Sequence, residues 1–250
     1  MSNICRRQSL LVLAAGCTSP FVRAERPPQN LIASVIDIAP WGRRGADGKA
    51  GGVYAEVFKR LGELSGINFE LQLTPIKRAV LEVSSGFSQA TMMLERADLN
   101  KGAVVIGTVT TLEIEVWLPV GSPLRSLSQL AGKKIATLRG PAYHEEFDAN
   151  NRIVKVPVTG ARQQLEMLRS GRVDGALGVR QNFLVAMREL GQQGDAFGDP
   201  IWLGSRRVML WIAPSLRGSE VQLQLGRALS QLRSSGEIDR MLAQQVYAER

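Results

Sequence analysis

The chain has 250 residues, 44% hydrophobic and 22% charged, a balance that fits one large globular unit or two ordinary ones and excludes intrinsic disorder. Its formal net charge of +8 comes with only 6% aromatic residues and no run of five basic side chains. That pattern argues for a solvated basic surface with a modest attraction for anionic solutes, and against a nucleic-acid partner.

The first 24 residues stand apart from the rest. Arg6 and Arg7 form a positive start, residues 9–16 a short apolar run, and Val22-Arg23-Ala24 a small-residue cleavage pattern. The segment reads as a secretory signal peptide, too short to span a membrane. Arg6-Arg7 also suggests a twin-arginine signal, but Gln8-Ser9 fits that pattern poorly; residues 13–17 form a cramped lipoprotein box ending at Cys17. Export is the common expectation, so the protein is placed in the periplasm, with anchoring at Cys17 the lesser variant. Removing this leader, which holds three arginines and no acid, lowers the net charge from +8 to +5 and removes both cysteines, Cys5 and Cys17. No later stretch approaches 18 consecutive apolar residues.

Strands and helices then alternate. Residues 31–38 form an apolar, β-branched strand that stops at Pro40, and Tyr54, Val57, Phe58, Leu61 and Leu64 follow at helical spacing up to Gly66. Residues 67–73 alternate as a strand, and Thr74-Pro75 opens a helix closed by Ser84-Ser85-Gly86. In the second half, residues 134–138, 153–158 and 173–179 read as strands, with a helix over 161–170 and another opened by Gly140-Pro141. A long helix begins near Glu220, and a final amphipathic one follows Gly236. Strands separated by helices imply parallel sheets and an α/β fold. A turn-rich seam at 119–123, between the extended runs 114–118 and 206–212, suggests two lobes: residues 25–115 with 206–250, and residues 120–205, joined by two crossing strands that act as a hinge.

The inventory of reactive side chains is short. There is one histidine, His144, and no cysteine beyond the leader, so Cys/His metal sites and Cys nucleophiles are excluded from the mature chain. No Gly-x-Ser-x-Gly elbow accompanies His144, and no phosphate-binding glycine motif occurs, so neither an enzyme nor a cofactor is expected.

The order of short motifs resembles extracellular solute-binding proteins of family 3, the receptors of polar amino-acid ABC importers. The resemblance rests on Pro40-Trp41 followed by Asp47-Gly48-Lys49 and Gly52, on Leu61 to Gly66, and on Ser85-Gly86. It rests further on residues 127–140 (LSQLAGKKIATLRG), on Leu168 to Asp174, and on residues 232–238 with Met241. It implies a type II periplasmic binding fold, two α/β lobes closing on a ligand, with an ABC permease as partner and a monomeric state. It further implies Trp41 as an aromatic wall and Arg96 as a carboxylate clamp, with Arg78 the alternative. Backbone N–H groups of a helix start at Gly140, Pro141, Ala142 and Tyr143 would hold the same carboxylate. Asp174 reads as structural. Where the family's amino-acid receptors place an ammonium-holding aspartate, this chain has Val179 followed by Arg180, itself a candidate ligand-binding residue, which weakens an ordinary α-amino acid as the ligand. Two other readings stay open: a cyclic-carboxylate dehydratase on the same fold, testable at His144 or Glu95, and a receptor that feeds a sensor.

Overall fold

The computed structural model describes residues 30–192 and 194–247; the expected leader, with Cys17, lies outside them. One lobe is built on β1 (Asn30–Ile36), β4 (Asn68–Thr74) and β5 (Ala90–Leu94). β1 pairs in parallel with both neighbours, and α1 (Val53–Ser65) and α2 (Ile76–Ser85) cover the faces. The other lobe is built on β7 (Lys134–Leu138), β8 (Val154–Val158) and β9 (Gly175–Val179), again parallel, with α5 (Ala161–Arg169) and α6 (Arg180–Glu189). The apolar periodicity that marked these segments points inward: Val57, Phe58 and Leu61 of α1 and Leu165 and Leu168 of α5 are buried.

Two long antiparallel strands, β6 (Val104–Leu118) and β10 (Gly198–Ile212), fuse the halves into one sheet ordered β4-β1-β5-β10-β6-β9-β7-β8. The end of β10 pairs with β5 (Ile212 with Ala90) and the end of β6 pairs with β9 (Ile114 with Val179), so each strand serves both lobes. Register shifts in the β6–β10 pair, one of them between Trp202 and Gly204, mark where the ribbon bends from one lobe to the other. This is a two-lobed α/β fold with a two-strand hinge.

A strap runs behind the hinge. After α7 (Glu220–Ser234), α8 (Glu237–Tyr247) is tied to α1 by Arg60 Nε donating to Glu237 at 2.8 Å and by Gln245 Nε2 donating to Glu56 at 2.7 Å. It is tied to α6 by Arg188, whose guanidinium donates to the carbonyls of Val246 (2.9 Å) and Gln245 (3.1 Å), a cation set against the negative end of a helix.

The structure corrects several local expectations. The polar cluster Arg180-Gln181-Asn182 is the first turn of α6, a helix missed because its opening residues look like a turn. No helix starts at Gly140; the short helix α4 (Glu145–Ala149) starts five residues later, capped by His144, whose Nδ1 accepts the Phe147 amide at 3.4 Å. Asp174 is structural, its carboxylate accepting the Lys134 amide at 2.7 Å.

One local device aims the Pro40-Trp41 loop. The carbonyls of Pro40 and Trp41 accept the first amides of α1, from Val53 (3.0 Å) and Tyr54 (2.9 Å). This is possible because Gly52 sits at φ 97° and carries no Cβ, which would lie 2.7 Å from the Pro40 oxygen and 2.9 Å from that of Trp41, too close for either. Gly52→Ala should therefore cost about 2–3 kcal/mol and displace Trp41, read as a lower midpoint in urea denaturation with an altered tryptophan emission.

Candidate functional site

The C-terminal ends of β1, β5, β7 and β9 converge between the lobes, where Ile36, Leu94, Leu138 and Val179 line a narrow cavity. Crevices at the carboxyl ends of parallel strands are where α/β proteins place ligands. Ile76 from the start of α2 and Leu112 from the hinge strand complete an apolar floor. The cavity's free volume is about 30 Å³, room for a water or two, so the lobes are nearly in contact.

Trp41 forms one wall, fully buried, with its ring 5.3 Å from that of Tyr54. Its indole nitrogen donates a 2.7 Å hydrogen bond to Asn182 Oδ1, from the first turn of α6 in the opposite lobe. Both partners are buried, so the bond replaces contacts with water that closure removes.

Arg96 is the one charged side chain in the lining, and it is 15% exposed. Its Nε and Nη2 donate to the two oxygens of Asp98 at 2.7 and 2.8 Å, and its Nη1 donates to the Gly140 carbonyl of the other lobe at 3.1 Å. Three of its five N–H groups are thus engaged. The paired guanidinium holds the Asp98 carboxyl below the usual carboxylate range, so the pair is ionised on both sides and close to neutral overall. Gly140 approaches Ile76 so closely that a Cβ would lie 3.3 Å from the Ile76 Cβ, and its φ of 111° suits only glycine.

Ala142 and Tyr143 line the cavity with Pro141, but the Tyr143 amide is already engaged. Asp148 reaches back and accepts both the Tyr143 amide (2.9 Å) and the His144 amide (3.1 Å). Of the backbone cradle expected there, the Tyr143 amide is thus taken by the protein's own carboxylate, and no helix dipole backs Gly140 and Ala142, since α4 is short and starts at Glu145. The phenols of Tyr54 and Tyr143 line the cavity and have no hydrogen-bond partner among the described residues. Burial pushes both well above the ordinary tyrosine range, so they stay neutral donors or acceptors.

The other expected residues lie elsewhere. The Arg78 side chain is 70% exposed and donates to Glu82 at 2.6 Å, where Glu82 also accepts the buried Ser34 hydroxyl; it braces α2 against β1. The Arg180 side chain is 53% exposed and faces Glu115 at 3.7 Å, outside the cavity lining. Trp117, on the hinge strand and not one of the expected site residues, packs into the core against Phe183 and Phe197, and donates to Glu115 at 2.9 Å. Glu95 pairs with Arg207, and neither Glu95 nor His144 lines the cavity. Sequence reasoning missed Asn182, Tyr54 and Asp98. Asn182 follows a strand end in a parallel sheet, which was the available signal; the roles of Tyr54 and Asp98 depend on tertiary approach and left none.

Asn182→Leu removes the acceptor of a buried indole N–H and should cost about 1–3 kcal/mol. Urea denaturation measures that loss, and Trp41 emission should shift to longer wavelength as the wall loosens; a wild-type midpoint and spectrum would contradict the bond.

No protein-family model matches the chain, and no curated protein matches it. Solved structures do. A histidine kinase sensor domain with similarity to periplasmic binding proteins superimposes with a TM-score of 0.73 at 18% identity, over 88% of this chain and 96% of that one. The GluR0 ligand-binding core in complex with L-glutamate gives 0.73 at 15% identity, over 88% and 99%. The L-cysteine solute receptor of Neisseria gonorrhoeae gives 0.70 at 17% identity, over 87% and 91%. The architecture that brings Trp41 and Asn182 together is the two-lobed type II periplasmic binding protein fold.

Proposed function

We propose that this chain is an extracytoplasmic solute-binding protein, monomeric and exported to the periplasm, that captures a small carboxylate-bearing solute between its lobes. It delivers that solute to an ABC permease in the inner membrane. The moving bodies are residues 25–115 with 206–250 and residues 120–205, which separate to admit the ligand and close on it. The observation that carries this reading is the interlobe cavity at the strand ends, apolar on most sides and with Arg96 as the only charged side chain among the described residues that line it. A guanidinium in a largely desolvated site suits a carboxylate, and two of its N–H groups remain for one.

No acid or imidazole is among the lining side chains, which favours binding over the dehydratase alternative. Readout by a sensor instead of a permease is the second reading, favoured by the likeness to a kinase sensor domain and by α8, which touches both lobes. The chemistry of capture is the same in both.

A melting screen of the purified protein against small carboxylates, polyamines and neutral sugars tests the proposal. A carboxylate at 100 times its dissociation constant should add about 2.7 kcal/mol of stability, which raises Tm by roughly 5–11 °C for a chain of this size. Arg96→Lys should abolish that shift, while Arg78→Ala and Arg180→Ala should keep it. Stabilisation by sugars or polyamines alone would refute the carboxylate reading.

A further inference from the structure

We infer that the cleft selects small carboxylates that carry no α-ammonium group, such as 2-oxo acids, over the α-amino acids of the same shape. The inference rests on the reading of the interlobe cavity as the ligand site, and deepens it by naming the ligand class.

The polar groups that reach the cavity are biased toward donors. Asn182 is oriented by its partner: an indole N–H can only donate, so the amide oxygen must face Trp41 and the NH₂ must face away from it. Arg96 offers only N–H groups. Tyr54 and Tyr143 are buried, unpartnered among the described residues, and neutral, so each can donate to an oxygen of the ligand. An ammonium group needs the reverse, a negative charge or several strong acceptors. None of the lining side chains is a carboxylate. At the end of β9, where the chain turns into α6, the wall is the buried isopropyl group of Val179. Asp98, the carboxylate paired with the lining Arg96, has both oxygens engaged by it, and one of them also accepts the Leu99 amide at 3.0 Å.

The energetic consequence is one-sided. An oxo acid presents acceptors throughout: its carboxylate meets Arg96, and its carbonyl oxygen can take an N–H or O–H from Asn182 or a tyrosine. The matching amino acid must bring a cation into an apolar cavity where neutral phenol oxygens are the acceptors and, among the described lining side chains, no carboxylate balances its charge. A buried polar group left without its partner can cost several powers of ten in affinity, so discrimination on the order of a hundredfold is expected.

Matched pairs differing at the α-carbon test this by calorimetric titration of the purified protein: pyruvate with alanine, 4-methyl-2-oxopentanoate with leucine, and phenylpyruvate with phenylalanine. The expected result is at least tenfold tighter binding of the oxo acid in every pair that binds. Equal or tighter binding of the amino acid overturns the selectivity and leaves the cleft as a carboxylate site. Binding of neither member of any pair overturns the carboxylate site, and the selectivity with it. Val179→Asp, which sets a carboxylate in the wall, should shrink the ratio in favour of the amino acid, and an unchanged ratio in the folded variant counts against the inference. Should that variant not fold, the wild-type ratios decide alone.

Discussion

The arrangement of this molecule turns on one buried hydrogen bond, from the Trp41 indole to Asn182, which joins residues 141 positions apart and on opposite lobes. Neither group is satisfied by its own lobe, and neither can face water once the lobes meet. Everything around the bond serves its geometry. Gly52 lets the Trp41 loop seat on the start of α1, Tyr54 backs the indole, and the β9-to-α6 turn delivers Asn182. The second interlobe contact, Arg96 to the Gly140 carbonyl, is available because Gly140 adopts a conformation that admits Ile76 against it.

Closure is thereby made of directional contacts across a small apolar space. In the proposed reading, an acid that takes the two remaining N–H groups of Arg96 lies beside its contact to Gly140, and one that meets Asn182 lies beside Trp41. On that reading ligand and latch share the same side chains, which would couple occupancy to lobe position through differential contacts with no separate transmission path. The hinge ribbon carries the motion, and α8, bound to α1 on one side and capped by Arg188 of α6 on the other, lies where relative movement of the lobes would be felt.

Much of the fold was legible because it depends on local pattern. The buried faces of α1, α5 and α7 repeat at helical spacing, and the parallel strands are short apolar runs bounded by glycine or proline. Both hinge strands were longer than expected, since their solvent-facing residues, such as Thr108, Thr111, Ser205 and Arg207, interrupt the apolar signal. The site was legible in part. Trp41 and Arg96 were found at strand ends, but a motif cannot show whether an arginine is already paired, and Asp98 pairs this one. The Tyr143 amide shows the same limit: Asp148 lies only five residues beyond it, yet only the folded turn brings that carboxylate back to accept it.

The central claim is that ligand is held between Trp41 and Arg96 at the lobe junction. The most direct measurement is a nuclear magnetic resonance titration of the four tryptophan indole N–H signals with 4-methyl-2-oxopentanoate. The Trp41 signal should move, while that of Trp211, buried in β10 away from the cavity, should stay. Movement confined to Trp202, which is exposed on the hinge strand, with Trp41 unchanged, would place binding elsewhere and contradict the account.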